Sequence, residues 1–177
     1  MTTESAAPDT LHAWAICLRA SEEARRRGDR RTGTDHLLLA LLEDPSIEVV
    51  LGVNLQQARQ ALESLDQEAL GALGMGSGTD APPLPMRAVP KKPTFRDVMK
   101  KDRLRMTPAA KKVLEEAVKP MRRKTQVTAQ QVLAQILSLE PPDPAAVLLG
   151  ALGVNTSDAL HELASTLAQP DQTEGRR

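Results

Sequence analysis

Gly33-Thr34-Asp35-His36-Leu37-Leu38-Leu39-Ala40-Leu41-Leu42 is the stretch that decides the fold, because an altered second copy of it lies at Val127 to Leu137. Thr34 is predicted to be the N-cap of the helix that follows, since its hydroxyl can accept a backbone N–H. Asp35 places a negative charge at the positive end of that helix. The leucines behind them predict a buried stripe.

The second copy belongs to a repeat that covers most of the chain. Thr128 takes the cap position there, and Gln131 completes a Thr-x-x-Gln capping box. Other positions align as well: Ala13 with Ala110, Ile16 with Val113, Cys17 with Leu114, Ala20 with Ala117, and Gly52-Val53-Asn54 with Gly153-Val154-Asn155. The offset between the copies changes only at predicted turns, as a true structural repeat requires.

Composition favours helices throughout. The chain has one Phe, one Trp and no Tyr, whereas strand-rich folds depend on aromatic and β-branched residues. In the first copy the apolar spacing predicts helices over 11–27, 35–42, 46–51 and 54–70, with Asn54 as the cap of the last one. Neither copy can hide its apolar face alone. We therefore predict an all-α fold, a pseudo-twofold tandem repeat of two four-helix units that share a core.

Glycine and proline mark the predicted domain boundaries. Residues 1–9 are a tail, 10–70 the first repeat, 71–106 a basic linker rich in Gly and Pro, 107–168 the second repeat, and 169–177 a second tail. A short amphipathic piece is predicted around Phe95. The second repeat opens with Thr107-Pro108, an N-cap followed by proline at the first helical position, and Pro120 is expected to kink or shorten its first helix.

Motifs for catalysis and cofactor binding are absent from the sequence. There is no Gly-x-x-x-x-Gly-Lys-[Ser/Thr] loop and no His-Glu-x-x-His, so we expect no enzyme, no metal and no cofactor. The single cysteine, Cys17, is predicted to be core, and His36 is predicted to be a surface or supporting group. Without a basic-apolar leader or a run of 18 apolar residues, a soluble cytoplasmic protein is expected.

The two copies together resemble the amino-terminal domain of Clp-family AAA+ unfoldases, especially the ClpC branch. The resemblance rests on Ser21-Glu22-Glu23-Ala24-Arg25-Arg26-Arg27-Gly28, on the Gly33 to Leu42 stretch, on Gly52-Val53-Asn54, and on Thr107-Pro108 with the helix behind it. It implies a double four-helix domain, here without ATPase modules, that acts as an adaptor, a substrate-docking domain or a decoy. The implied partners are Clp unfoldase and protease components, adaptors, substrate proteins or small molecules, with no membrane.

The resemblance also implies a ligand site. Some relatives bind phosphoarginine through a Thr that opens the first helix and an acid in the Gly-Thr-acid-His motif, and Thr10 and Asp35 match these positions. In the second copy Thr107 matches, but Ala129 replaces the acid, and Met106 stands where relatives often have an aromatic residue. The candidate binding residues are thus Thr10, Thr34, Asp35, Met106 and Thr107. The threonines and Asp35 can equally be helix caps alone, and the sequence leaves both interpretations open.

A basic central segment supports an alternative function. Residues 87–124 hold more than half of the chain's 23 Lys and Arg residues, while the net charge is zero, so the flanks are acidic. Such a segment can bind nucleic acid by neutralising phosphates. Against this, it offers a single aromatic residue, Phe95, for stacking on bases.

Overall fold

The structure, a computed structural model, describes residues 13–74, 105–118 and 128–168. These residues form eight helices. The first repeat supplies α1 (Ala13–Arg27), α2 (Thr34–Leu41), α3 (Pro45–Leu51) and α4 (Leu55–Ala72), and the second supplies α5 (Pro108–Val118), α6 (Ala129–Leu137), α7 (Pro144–Ala151) and α8 (Thr156–Ala168). The all-α class and the four-helix unit are confirmed. Thr10, the Phe95 piece, the Pro120 kink and both tails lie outside the described residues.

Two predicted helix caps form their expected hydrogen bonds. Asn54 Oδ1 accepts the Gln57 N–H at 2.9 Å, while Gln57 Oε1 accepts the Asn54 N–H at 2.8 Å. Thr107 Oγ1 accepts the Ala110 N–H at 3.2 Å. Each side chain satisfies a donor that the first helical turn leaves unpaired, so α4 and α5 begin where the sequence predicts. At its other end α4 continues through Ala72, past the predicted end at residue 70.

The predicted cap of α2 is wrong by one residue. Thr34 is the first helical residue and Gly33 holds the cap position. The N–H of Gly33 donates to Nδ1 of His36 at 3.0 Å. The imidazole thus accepts the cap N–H as a Glu or Gln does in a capping box, which leaves the Thr34 hydroxyl free for another bond.

The predicted capping box of α6 is only half formed. The N–H of Thr128 donates to Gln131 Oε1 at 3.1 Å. The Thr128 hydroxyl is buried and has no hydrogen-bond partner among the described residues. A buried hydroxyl without a partner destabilises the folded state, so the second copy forms this turn at a greater cost than the first.

All residues of α2 are buried, whereas the sequence predicts a single buried stripe. The helix packs against α1, α4, α5, α6 and α7, and it therefore has no face left for water. A helix that is apolar nearly all round is typical of such a central position. Within the described part of the chain, no helix has the length and apolar character needed to cross a membrane.

Reciprocal packing shows the pseudo-twofold relation of the repeats. α2 packs on α5 as α6 packs on α1, and α4 packs on α7 as α3 packs on α8. One core cluster takes residues from both repeats. Its largest fully buried members are Ile16, Leu37, Leu38, Leu39, Leu41, Leu42, Ile47, Leu133, Ile136, Leu148, Leu149 and Leu163. The predicted shared core is confirmed.

A short backbone pairing joins the two repeats. The N–H of Thr32 donates to the carbonyl of Arg105 at 2.8 Å, and the N–H of Thr107 donates to the carbonyl of Thr32 at 2.9 Å. Thr32 and Met106 thus form an isolated parallel bridge. We call these two hydrogen bonds the repeat joint. It places the first residues of α5 beside the loop that leads into α2.

Candidate functional site

Asp35 lies in the first turn of α2, with 11% of its side chain exposed. Its carboxylate accepts a hydrogen bond from Nη1 of Arg27 at 3.2 Å. Arg27 is the last residue of α1. The carboxylate for which the resemblance implies a ligand guanidinium is therefore paired with a guanidinium of the same chain.

Three carboxylates lie within 4 Å of the Arg27 guanidinium. Besides Asp35, its Nη2 donates to Asp66 Oδ2 at 2.6 Å, and its Nε lies 3.6 Å from Asp29 Oδ2. Only 22% of the Arg27 side chain is exposed. A planar guanidinium can serve several acceptors at once, so this residue ties α1 to the following loop, to α2 and to α4.

His36 is buried, with 4% of its side chain exposed, so of the two predicted roles it takes that of a supporting group and not that of a surface group. Its Nδ1 accepts the N–H of Gly33, and Nδ1 also lies 3.1 Å from Asp35 Oδ1. Its Nε2 lies 3.0 Å from Asp29 Oδ2. Because Nδ1 accepts a hydrogen bond, the neutral ring carries its proton on Nε2 and donates it to Asp29.

Burial and charge act in opposite directions on this pair. Burial raises the pKa of Asp35, but the His36 hydrogen bond and the positive charge of Arg27 outweigh it and hold that pKa below its ordinary value. Burial lowers the pKa of His36, but the hydrogen bond and charge of Asp35 and the charge of Asp29 raise it above its ordinary value. The ionised carboxylate and the protonated ring therefore stabilise each other.

Gly33 makes the close approach of Asp35 possible. A Cβ atom at Gly33 would overlap Oδ1 of Asp35 and would lie 3.5 Å from Nδ1 of His36. The backbone of Gly33 is extended, with φ −94°, so any residue could adopt it. Glycine is required here because a side chain would collide with the Asp35 carboxylate, and not because of the backbone conformation.

Thr34 connects the two repeats. Its hydroxyl donates to Asp143 Oδ1 at 2.6 Å, and the same oxygen accepts the N–H of Ala145 at 3.0 Å as the N-cap of α7. The equivalent pair in the other half would be Thr128 and the α3 cap Asp44. Asp44 Oδ1 instead accepts the N–H and the hydroxyl of Ser46 at 2.9 and 2.8 Å. The Thr–Asp bond between repeats therefore forms on one side only.

The candidate binding residues separate into two places. Met106 and Thr107 lie at the repeat joint, where Met106 is partly buried against the core and Thr107 caps α5. Thr34 and Asp35 lie in α2, each with its own partner, and Thr10 lies outside the described residues. Ala129, which replaces the acid, is buried at the start of α6. The structure thus places Thr107 of the second repeat beside Thr32 of the first.

Sequence reasoning missed four residues of this site: Arg27, Asp29, Asp66 and Asp143. A signal was present for Asp143, because Asp followed by Pro is a common start of a helix, yet nothing in the sequence indicates Thr34 as its partner. Arg27 stands in a run of three arginines, and nothing in that run distinguishes the one that turns inward. Such partners are set by tertiary packing.

An open groove lies between α3 and α8. It holds about 240 Å³, and Val49, Val50, Val154, Ala159, Asp158 and Glu162 are among the residues that line it. Val49 is 73% exposed. In the described part of the chain, no three His, Cys, Asp or Glu side chains are grouped so that they could hold a metal ion.

Comparisons with known proteins agree with this architecture. The solved N-terminal domain of the caseinolytic protease associated chaperone ClpD from Arabidopsis thaliana is similar, with TM-score 0.59, 18% identity, and coverage of 88% of this chain and 94% of that one. At that identity the likeness shows the fold alone. No curated protein matches. The family model of the Clp repeat (R) N-terminal domain matches residues 10–140, more than half of the sequence. The chain therefore belongs to the Clp N-terminal domain family.

Proposed function

We propose that the chain is a non-catalytic docking module of the Clp proteolytic system, which binds a protein partner as an adaptor, a substrate-docking domain or a decoy. The family match over residues 10–140 is the observation that carries this proposal. The shared core and the repeat joint support it, because they hold the two repeats together in one unit that can present a surface to a partner. The partners proposed are Clp unfoldase or protease components, adaptors and their substrates.

The internal pairing of the buried charges also fits a binding scaffold. Arg27, Asp35 and His36 bond to one another and to neighbouring carboxylates. Groups held in this way fix the ends of α1 and α2, whereas a catalytic site keeps a polar group aimed at substrate. The network thus fixes the position of the buried first turn of α2 relative to the end of α1.

A finer proposal concerns phosphoarginine-tagged proteins. Asp35 would pair with the guanidinium of the tag, with Thr10, Thr34, Met106 and Thr107 as neighbouring contacts. In this structure Arg27 holds the Asp35 carboxylate, so a ligand guanidinium must displace it. Asp66 and Asp29 remain as partners for the displaced side chain, which limits the cost of the exchange.

An affinity capture tests the docking role. The purified chain is used as bait in a bacterial lysate, beside the variants Asp35→Asn and Asp66→Asn. Asp66→Asn is the matched control, because it removes another partner of Arg27 while the Asp35 carboxylate stays. Retention of Clp subunits or adaptors by all three baits supports docking. Their absence from every eluate, with the bait folded, counts against it.

Titration with peptides tests the finer proposal separately. A phosphoarginine peptide and its unmodified arginine twin are titrated into the same three proteins. We expect the phosphorylated peptide to bind more tightly, and Asp35→Asn to lose at least tenfold in affinity while Asp66→Asn does not. Equal binding by all variants would remove Asp35 from the site. A duplex DNA titrated at two salt concentrations tests the alternative, because phosphate contacts weaken steeply with salt.

A further inference from the structure

We infer that His36 is a proton-dependent brace, which holds the loop at the repeat joint when its ring is neutral and releases one end of that loop when the ring is protonated. The loop runs over residues 28–33, between α1 and α2. The inference needs no Clp partner, and it concerns how the two repeats are held together.

The ring contacts both ends of this loop. Nε2 lies 3.0 Å from Asp29 Oδ2 at the loop's beginning. Nδ1 accepts the N–H of Gly33 at 3.0 Å at its end. A neutral imidazole has one donor and one acceptor, and these two bonds use both. The neutral ring therefore links the first and last parts of the loop through these two hydrogen bonds.

The residue before Gly33 makes both hydrogen bonds of the repeat joint. The N–H and the carbonyl of Thr32 bond to Arg105 and Thr107 at 2.8 and 2.9 Å. Gly33 thus lies between the joint on one side and α2 on the other. Freedom gained at Gly33 is transmitted directly to Thr32, because the two residues share a peptide unit.

The two neighbours of Nδ1 exclude each other. Asp35 Oδ1 lies 3.1 Å from this nitrogen, almost as close as the N of Gly33. A protonated Nδ1 donates to the carboxylate and can no longer accept the N–H. One proton therefore exchanges the Gly33 bond for a charge-assisted bond to Asp35.

The charges around the ring favour that exchange. Arg27 comes from α1, Asp29 from the loop and Asp35 from α2, and the two carboxylates outweigh the single guanidinium, so the pKa of His36 is raised. Asp66 of α4 is paired with Arg27, and Asp143, the cap of α7, accepts a hydrogen bond from Thr34. The buried residues of α5 and α6 are all apolar.

Protonation of His36 acts in opposite directions on the stability of the whole fold and on the hydrogen bond at Gly33. A raised folded-state pKa adds stability that is present below the unfolded pKa and is lost as pH rises through the folded value. Protonation therefore stabilises the whole fold while it removes one local hydrogen bond. Global unfolding would lower the exchange protection of the Gly33 amide only if the free energy of unfolding also fell. It therefore cannot explain a loss of protection that accompanies a gain in stability.

Nuclear magnetic resonance of the full chain tests the inference. Ring ¹⁵N shifts are expected to show the Nε2–H tautomer above the His36 pKa. As pH falls through that pKa, the protection factor of the Gly33 amide is expected to drop roughly tenfold, in line with the loss of one hydrogen bond, with smaller drops at Thr32 and Thr107.

His36→Asn is the matched variant, because its Oδ1 can stand near the Nδ1 position and accept the Gly33 N–H at every pH. Its Gly33 protection is expected to stay constant over the same range. A neutral ring protonated on Nδ1, or a pH-dependent drop that persists in His36→Asn, would overturn the inference. The tautomer is read in the unmodified protein, so a poorly folded variant does not decide the outcome.

Discussion

Gly33 lies against the Asp35 carboxylate, and the absence of a side chain lets Arg27, Asp35 and His36 meet. Gly33→Ala inserts a methyl group that must displace the carboxylate from Arg27, and we expect a loss of about 1–3 kcal/mol in the free energy of unfolding. Urea denaturation measures it. Gly150→Ala is the control, because Gly150 has nothing within 4 Å of a Cβ and lies within α7. It should gain about 0.5–1 kcal/mol.

Thr34 and Thr128 align in the sequence repeat but differ in hydrogen bonding, since Thr34 is the first residue of α2 and Thr128 is the N-cap of α6. Thr34→Val removes the bond to Asp143, and we expect a loss of about 1 kcal/mol. Thr128→Val replaces a hydroxyl that has no partner among the described residues, so its stability should stay equal or rise. Thermal unfolding of both variants compares them directly. An equal loss in the two would mean that the Thr34 bond contributes nothing of its own.

At the scale of the helix, α2 owes its place to burial on every side. Leu39 is fully buried, and Leu39→Ala should cost about 2–5 kcal/mol because it leaves a cavity in the shared core. Val49→Ala is the control on an exposed face of α3, where a change within about 0.5 kcal/mol is expected. Chemical denaturation measures both. A loss below about 1 kcal/mol for Leu39→Ala would contradict the packing of α2.

The first turn of α2 also gives the stability a pH dependence. The pKa of Asp35 is lowered, so its ionised form adds stability that is present above the unfolded pKa and is lost as pH falls through the folded value. The loss should appear below about pH 4. The free energy of unfolding, followed against pH for the unmodified chain and for Asp35→Asn, isolates this contribution. Parallel curves would show that Asp35 makes none.

Local signals explain which parts of these helices could be predicted. Asn54 and Thr107 cap their helices through residues three positions away, and such bonds can be predicted from the sequence. The Thr34–Asp143 bond joins residues far apart in the chain, and the inward turn of Arg27 depends on how α1, α2 and α4 pack. Neither has a sequence signature, so the candidate site was predicted less completely than the fold.

For the whole molecule, the repeat explains the symmetry of the core but not its differences. The apolar positions of α2 and α6 correspond, and both helices lie at the centre. The polar bonds differ, since Asp143 receives a hydroxyl from the other repeat while Asp44 is satisfied by Ser46. The buried core sets the pairing of the repeats, and the polar contacts of the two helix caps Asp143 and Asp44 differ between them.

A shared core requires the two repeats to unfold together. Leu149 of α7 is buried in that core, and α7 packs on α2 and α4 of the first repeat. Leu149→Ala should therefore shift the urea midpoint of the first repeat as much as that of the second. Trp14, the chain's single Trp, reports on the first repeat by fluorescence, while far-ultraviolet circular dichroism reports on all helices. We expect both midpoints to fall equally, by an amount that corresponds to about 2–5 kcal/mol. Leu39→Ala, the matched change in the first repeat, should do the same. A Trp14 transition that stays in place while the dichroism curve splits would mean that the repeats fold as separate units.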